Sequence, residues 1–144
     1  MDPYPLDHYP HTKELQTRWM DNDIYGHVNN VVYYSYFDTV VNSYLIENKG
    51  LDIHESPIIG LVIETQCTYL APIEFPMDIT AGLKVSHLGN SSVRYEIGLF
   101  TKDPLKPVAQ GYFVHVYVDR NTRKPTPIPD TLRQILKPLV KRSL

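Results

Sequence analysis

At 144 residues, 42% hydrophobic and 21% charged, the chain has the length and composition of one globular domain that can bury its own core. A formal net charge of −2 gives no electrostatic case for nucleic acid, and the single cysteine, Cys67, excludes an internal disulfide and any zinc site built on paired cysteines. No apolar run approaches the roughly 20 residues of a membrane helix, and the opening MDPYPLDHYP lacks the basic and apolar regions of a secretory signal. The expectation is one cytoplasmic domain over 1–144, with 1–11 as an extended leader.

Lys13 to Trp19 reads as a first short strand. A polar cluster follows, DNDIYGHVNN, from Asp21 to Asn30. Asn30 to Lys49 then carries Tyr33, Tyr36, Phe37, Val40, Val41, Tyr44 and Leu45 at helical spacing, with Ser35, Asp38, Thr39, Asn42 and Ser43 opposite. Asn29 or Asn30 suits the N-cap, where a short side-chain oxygen accepts an orphan N–H. Gly50 suits the position just past the helix, where a left-handed residue is common.

The rest alternates with period two. Ile59, Leu61, Ile63, Cys67 and Tyr69 face one way, against Glu64, Gln66 and Thr68. Met77, Ile79, Ala81, Leu83 and Val85 form one apolar row, and Val93, Tyr95, Ile97 and Leu99 another. Tyr112, Val114, Val116 and Val118 share a face, which leaves Phe113 and Tyr117, with Phe100, on the outer side as candidates for a subunit contact. One-sided alternation marks antiparallel strands with one covered face, and the links LGNSS and KDPLK suit hairpins. Asp130 to Arg142 reads as a closing helix interrupted by Pro138. One long helix followed by four long strands is an α+β domain.

The polar cluster bears the candidate chemistry. Asp21, Asp23 and Gly26 match positions 1, 3 and 6 of a calcium loop, but Tyr25 and Val32 stand where ligands are needed. His27 has no second histidine at metal-ligand spacing. The chain lacks G-x-G-x-x-G, G-x-x-x-x-G-K and G-x-S-x-G, which removes the usual signatures of nucleotide binding and serine hydrolysis. Asp21 and Asp23, two apart in an irregular loop, need not converge as a glycosidase pair. What is left is a carboxylate beside a helix N-terminus. Unpaired N–H groups there carry partial positive charge and can hold a developing oxyanion. A carboxylate across from them can attack a carbonyl or activate a water. The alternative is that Asp23 only caps the loop or helix.

The segment TRWMDNDIYGHVNNVVYYSYFDTV resembles the signature of the 4-hydroxybenzoyl-CoA thioesterase family of hotdog-fold acyl-CoA thioesterases: Asp-x-Asp at a strand end, Gly-His-Val-Asn-Asn, then Tyr-x-x-Tyr-Phe entering the helix. TYLAPIEF, LGNSSVRYEI and VYVDRNTRKPTPIP resemble later parts of the same pattern. The resemblance implies a long central helix wrapped by a curved antiparallel sheet. It implies hydrolysis of an acyl-CoA to free acid and CoA, with Asp23 as nucleophile or general base and the Asn30 backbone N–H polarising the thioester carbonyl. It places His27, Asn29 and Tyr33 with the substrate, and Ser91 and Ser92 at a hairpin where some members carry basic residues toward the CoA phosphates. Arg94, Lys102, Arg120, Arg123 and Lys124 are then the candidate phosphate contacts. The helix departs from the family's Phe-Glu-x-Ala-Arg continuation, with Asp38-Thr39-Val40-Val41 instead. The family pattern further implies a homodimer with the site at its interface, extending to a homotetramer, and no cofactor or metal beyond the CoA of the substrate. The rival readings are a hotdog acyl-thioester hydratase or dehydratase, and a non-catalytic acyl-thioester binding domain.

Overall fold

The computed structural model describes residues 2–49 and 56–140. Five antiparallel strands form one sheet in the order β1-β3-β4-β5-β2, with β1 His11–Gln16, β2 Ile58–Tyr69, β3 Asp78–Leu88, β4 Ser92–Thr101 and β5 Lys106–Asp119. One long helix, α1 (Val32–Glu47), lies across β3, β4 and β5. This is the α+β hotdog arrangement expected from the sequence. Every residue of the apolar helix stripe is buried, with Phe37, Val40 and Val41 fully excluded from solvent. Their partners from the sheet include Ile79, Leu83, Tyr95, Ile97 and Leu99, also fully buried.

Several boundaries differ from expectation. The first strand covers His11–Gln16 rather than Lys13–Trp19, because Trp19–Asp21 closes into a 3-10 turn. α1 starts at Val32 rather than Asn30, because Asn29 organises a turn ahead of it: its Oδ1 accepts the Val31 N–H at 3.1 Å and its carbonyl the Val32 N–H at 2.9 Å. The helix ends at Glu47, and Gly50 lies outside the described residues. The closing segment is a short helix, α2 (Asp130–Leu136), and a 3-10 turn over Lys137–Leu139 that holds Pro138; Arg142 lies outside the described residues.

Two strand faces are corrected. β2 has a bulge between Val62 and Glu64, so its parity reverses at Ile63. Ile59 and Leu61 therefore share the outer face with Glu64 and Gln66, while Cys67 and Tyr69 stay inside. In β5 the buried row is Phe113, His115 and Tyr117, and Tyr112, Val114 and Val116 are only half-buried outside. Wide rings are what fill the space up to Phe37, which meets Phe113 edge-on at 6.0 Å between centroids. Phe100, Phe113 and Tyr117 are thus spent inside the subunit and do not offer a subunit contact.

The leader is not simply extended. Leu6–His8 forms a 3-10 turn, and the Tyr4 backbone N–H and carbonyl bond the Gln110 side chain at 2.9 and 2.7 Å. The Tyr9 ring lies so close over Gly82 and Gly98 that a Cβ at either would come within 2.5 or 2.7 Å of it. Tyr9 also covers Phe100 on the outer face, 6.0 Å away between ring centroids.

Candidate active site

The site is built where the loop after β1 enters α1. Asp21 is buried, and its carboxylate is fully engaged. It accepts the Arg18 guanidinium at 2.8 and 3.1 Å, the Arg18 N–H at 2.9 Å and the Tyr36 hydroxyl at 2.7 Å. Burial pushes the Asp21 pKa up, but the Arg18 and Tyr36 hydrogen bonds together outweigh it and hold the carboxyl below its usual range. Asp21 therefore ties the loop to the helix and has no oxygen left for a substrate.

Asp23 stands differently. Its Oδ1 accepts the Tyr25 N–H at 2.8 Å, and its backbone N–H donates to the His27 carbonyl at 2.8 Å. Gly26 closes this reversal at φ +82°, a conformation that glycine adopts without strain, and its N–H donates to the Asp23 carbonyl at 3.1 Å. The half-buried carboxylate thus caps its own turn with one oxygen, and the other makes no hydrogen bond among the described residues. His27 is exposed. Val28 anchors the loop by donating its N–H to the Ile73 carbonyl at 2.7 Å, and Asn29 by donating to the Asp21 carbonyl at 2.9 Å.

Asn30 is the pivot. Its N–H has no acceptor among the described residues, whereas its carbonyl accepts the Tyr69 hydroxyl at 2.8 Å. A cleft of about 340 Å³ opens there, between the start of α1 and the end of β2. His27, Asn30 and Tyr33 line it, as do Tyr69 and Leu70–Pro72. Tyr33 is buried, and burial raises its hydroxyl pKa. Its ring meets that of Tyr69 edge-on at 4.8 Å.

Of the residues expected from the sequence, His27, Asn30 and Tyr33 come together in the cleft. Asp23 and Asn29 lie on the adjoining loop, Asn29 as the turn-former. Ser91 and Ser92 are not brought there within one subunit. Ser92 pairs with Val116 while Tyr69 pairs with Ala109, seven residues along β5, roughly 23 Å at about 3.3 Å per residue. Tyr69 was not singled out from the sequence; TYLAP, at the end of an apolar alternating run, was the available signal.

Three of the candidate phosphate contacts are already engaged. Arg94 stacks over Tyr112 at 3.8 Å, Lys102 pairs with Glu14, and Arg120 donates to the Ser56 carbonyl at 2.7 Å. Arg123 and Lys124 are exposed. A larger cavity of about 450 Å³ lies on the outer face of the sheet beneath the leader, and Leu70 lines both it and the cleft.

The thioesterase-like superfamily matches residues 17–136 of the chain. The crystal structure of the PA5185 protein from Pseudomonas aeruginosa strain PAO1 is 50% identical, with 99% of this chain and 100% of that one covered and a TM-score of 0.93. The PA2801 protein of Pseudomonas aeruginosa is 32% identical over 88% of this chain and 97% of that one, with a TM-score of 0.81. Slr0204, a 1,4-dihydroxy-2-naphthoyl-CoA thioesterase from Synechocystis, shares the fold at 16% identity over 87% of this chain and 93% of that one, with a TM-score of 0.81. No curated protein sequence matches the chain significantly. The chain belongs to the thioesterase-like superfamily, and it is a thioester hydrolase.

Proposed function

We propose that the protein hydrolyses an acyl-CoA to a free acid and CoA as a member of the 4-hydroxybenzoyl-CoA thioesterase family, with Asp23 as nucleophile or general base and the Asn30 N–H as the oxyanion donor. The observation that carries this reading is that Asn30, whose N–H has no acceptor among the described residues, lines the cleft, with the Asp23 loop beside it. A thioester carbonyl seated on that donor is polarised where its negative charge develops. In the general-base route, Asp23 takes a proton from a water whose oxygen attacks the carbonyl carbon. The tetrahedral oxyanion then collapses, the carbon–sulfur bond breaks, and the thiolate of CoA leaves and is protonated. In the nucleophilic route, Asp23 itself attacks, CoA thiolate leaves, and water cleaves the resulting anhydride. Neither route calls on a cofactor or metal.

His27 and Tyr33 would contact the substrate at the cleft, with Asn29 holding the loop. The Tyr33–Tyr69 pair favours an apolar or aryl acyl group. Arg123 and Lys124 are exposed cations for the CoA phosphates, but they lie at the Asp119 end of β5, farther from the cleft than Ser92, so they, like Ser91 and Ser92, reach substrate only from a neighbouring subunit. A homodimer is the simplest assembly that supplies one, with a homotetramer as a further pairing. β2 supports this: it is a 12-residue edge strand with Val62 and Ile63 exposed. No helix among the described residues is long and apolar enough to cross a membrane, which suits the proposed cytoplasmic location.

The test is thiol release from a panel of aliphatic and aromatic acyl-CoAs, repeated with acyl-carrier-protein thioesters. Turnover on at least one acyl-CoA, lost in Asp23→Asn, is expected. Conversion of enoyl-CoA without thiol release would point to a hydratase, and binding without turnover to a non-catalytic domain. Either result overturns the proposal.

A further inference from the structure

We infer that Tyr69, the last residue of β2, is a positioning residue that aims the Asn30 N–H into the cleft; this rests on the proposed role of that N–H. Two successive peptide groups set the direction of the donor. The first joins Asn29 to Asn30 and carries the donor N–H. Its carbonyl accepts the Val32 N–H at 2.9 Å. The second joins Asn30 to Val31. Its N–H is held by Asn29 Oδ1 at 3.1 Å. Its carbonyl is the weak point. In a regular helix the Tyr34 N–H would bond it, four residues on. Here Tyr34 donates instead to the Val31 carbonyl at 3.2 Å. The Asn30 carbonyl is thus left out of the helix ladder, and the Tyr69 hydroxyl takes it at 2.8 Å.

That hydroxyl comes from a fixed point. The next residue, Leu70, donates its N–H to the Val108 carbonyl at 2.9 Å, which continues the pairing of β2 with β5. The Tyr69 ring is set by its edge-on contact with Tyr33, itself buried in the first turn of α1. Burial, then Cys67 and Tyr34, pushes the hydroxyl pKa up to about 12, so it is a proton donor throughout the neutral range. Tyr69 therefore joins the two walls of the cleft, strand end and helix start, at the residue that bears the donor. Without it, the Asn30–Val31 peptide is pinned only through its N–H and can tilt, and the neighbouring donor N–H tilts with it. A tilted donor weakens its bond to the oxyanion more than it weakens substrate binding.

Tyr69→Phe keeps the ring and its contact with Tyr33 and removes only the hydroxyl. On the best acyl-CoA, kcat is expected to fall about tenfold, with KM within about twofold and the melting temperature within a few degrees. Combined with Asn30→Pro, which deletes the N–H, the tenfold loss should disappear, because there is no longer a donor to aim. An active parent and a slow Asn30→Pro alongside a Tyr69→Phe variant with kcat within twofold of the parent overturns the inference alone. So does a rise in KM at unchanged kcat, or a tenfold loss that persists in full in the double variant. A parent that releases no thiol, or a folded Asn30→Pro with full turnover, overturns the assignment of the donor and this inference with it. Should Asn30→Pro fail to fold, the division between kcat and KM in Tyr69→Phe still decides.

Discussion

The Tyr36 hydroxyl donates to Asp21 Oδ2 at 2.7 Å, across a buried junction between the loop and the second turn of α1. With both Asp21 oxygens engaged by Arg18 and Tyr36, the two aspartates of the motif divide their work. Asp21 holds the scaffold, and Asp23 keeps one oxygen unbonded among the described residues.

Asp21→Asn should therefore act on stability. An amide nitrogen would face the Arg18 and Tyr36 donors, and a charge-assisted bond would be lost. The expected cost is about 1–3 kcal/mol, read in urea unfolding, with kcat of the folded protein reduced only modestly. The pH dependence has a sign. A carboxyl whose pKa is lowered by folding adds stability that is complete above its unfolded value and is lost as pH falls through its native one. The Asp21 contribution should fade only below about pH 4. Equal unfolding midpoints for parent and variant at neutral pH would overturn this role.

Asp23→Asn separates capping from catalysis. Asparagine keeps an oxygen for the Tyr25 N–H, so melting should be unchanged. It has neither the basicity nor the nucleophilicity of a carboxylate, so kcat should fall by roughly 10²–10⁴. Asp23→Ala should lose the cap as well and melt lower. If Asp23→Asn hydrolyses within threefold of the parent, Asp23 is a capping residue only. One turnover of the parent in ¹⁸O-water separates the two routes: label in the Asp23 carboxylate marks an anhydride, and label only in the released acid marks an activated water.

Asn29 and Asn30 are adjacent but should behave differently. Asn29 Oδ1 holds the turn, so Asn29→Ala should cost about 1 kcal/mol. The Asn30 side chain makes no hydrogen bond among the described residues, so Asn30→Ala should be nearly neutral in stability and rate. Asn30→Pro removes the N–H and should lower kcat by about 10²–10³ in a folded protein. Equal kcat for the alanine and proline variants of Asn30 would count against the backbone donor.

How far the sequence could be read follows from the same physics. The α1 stripe was legible because apolar and polar residues separate cleanly at helical spacing, and β3 and β4 because each has one plainly apolar row. β5 misled because both its faces are apolar, and periodicity alone does not tell that the Phe113 ring reaches Phe37 of α1 and that Tyr117 is buried beside Tyr95. In β2, a single extra residue at the bulge reversed the parity of Ile59 and Leu61, and nothing in the local pattern marks it. Asp23, His27, Asn29, Asn30 and Tyr33 can be grouped from the sequence because they lie in one continuous segment, and of these His27, Asn30 and Tyr33 line the cleft. Tyr69 enters from a distant strand, so the Tyr-x-x-Pro of TYLAP marks a strand end without tying that tyrosine to the Asp21–Tyr33 segment.

His115 carries the last prediction. It is 5% exposed, meets the ring of Tyr95 at 5.0 Å and that of Phe113 at 6.1 Å, and its Nε2 has no hydrogen-bond partner among the described residues. Burial pushes its pKa down to about 4. Unfolded, the same imidazole titrates near 6.5. Above that pH neither state binds the proton. As pH falls from about 6.5 toward 4, the unfolded chain takes up a proton that the native protein refuses, so native stability declines, by up to the order of 3 kcal/mol. His11, also lowered chiefly by burial, adds to the slope in the same direction. His115→Phe removes the titration and suits the aromatic surroundings. Urea unfolding at pH 7.5, 6.0, 5.0 and 4.5 should show the parent losing stability steadily and the variant losing distinctly less. Parallel pH profiles for the two proteins would mean that the native state accommodates the imidazolium, and that the burial of His115 does not govern its acid sensitivity.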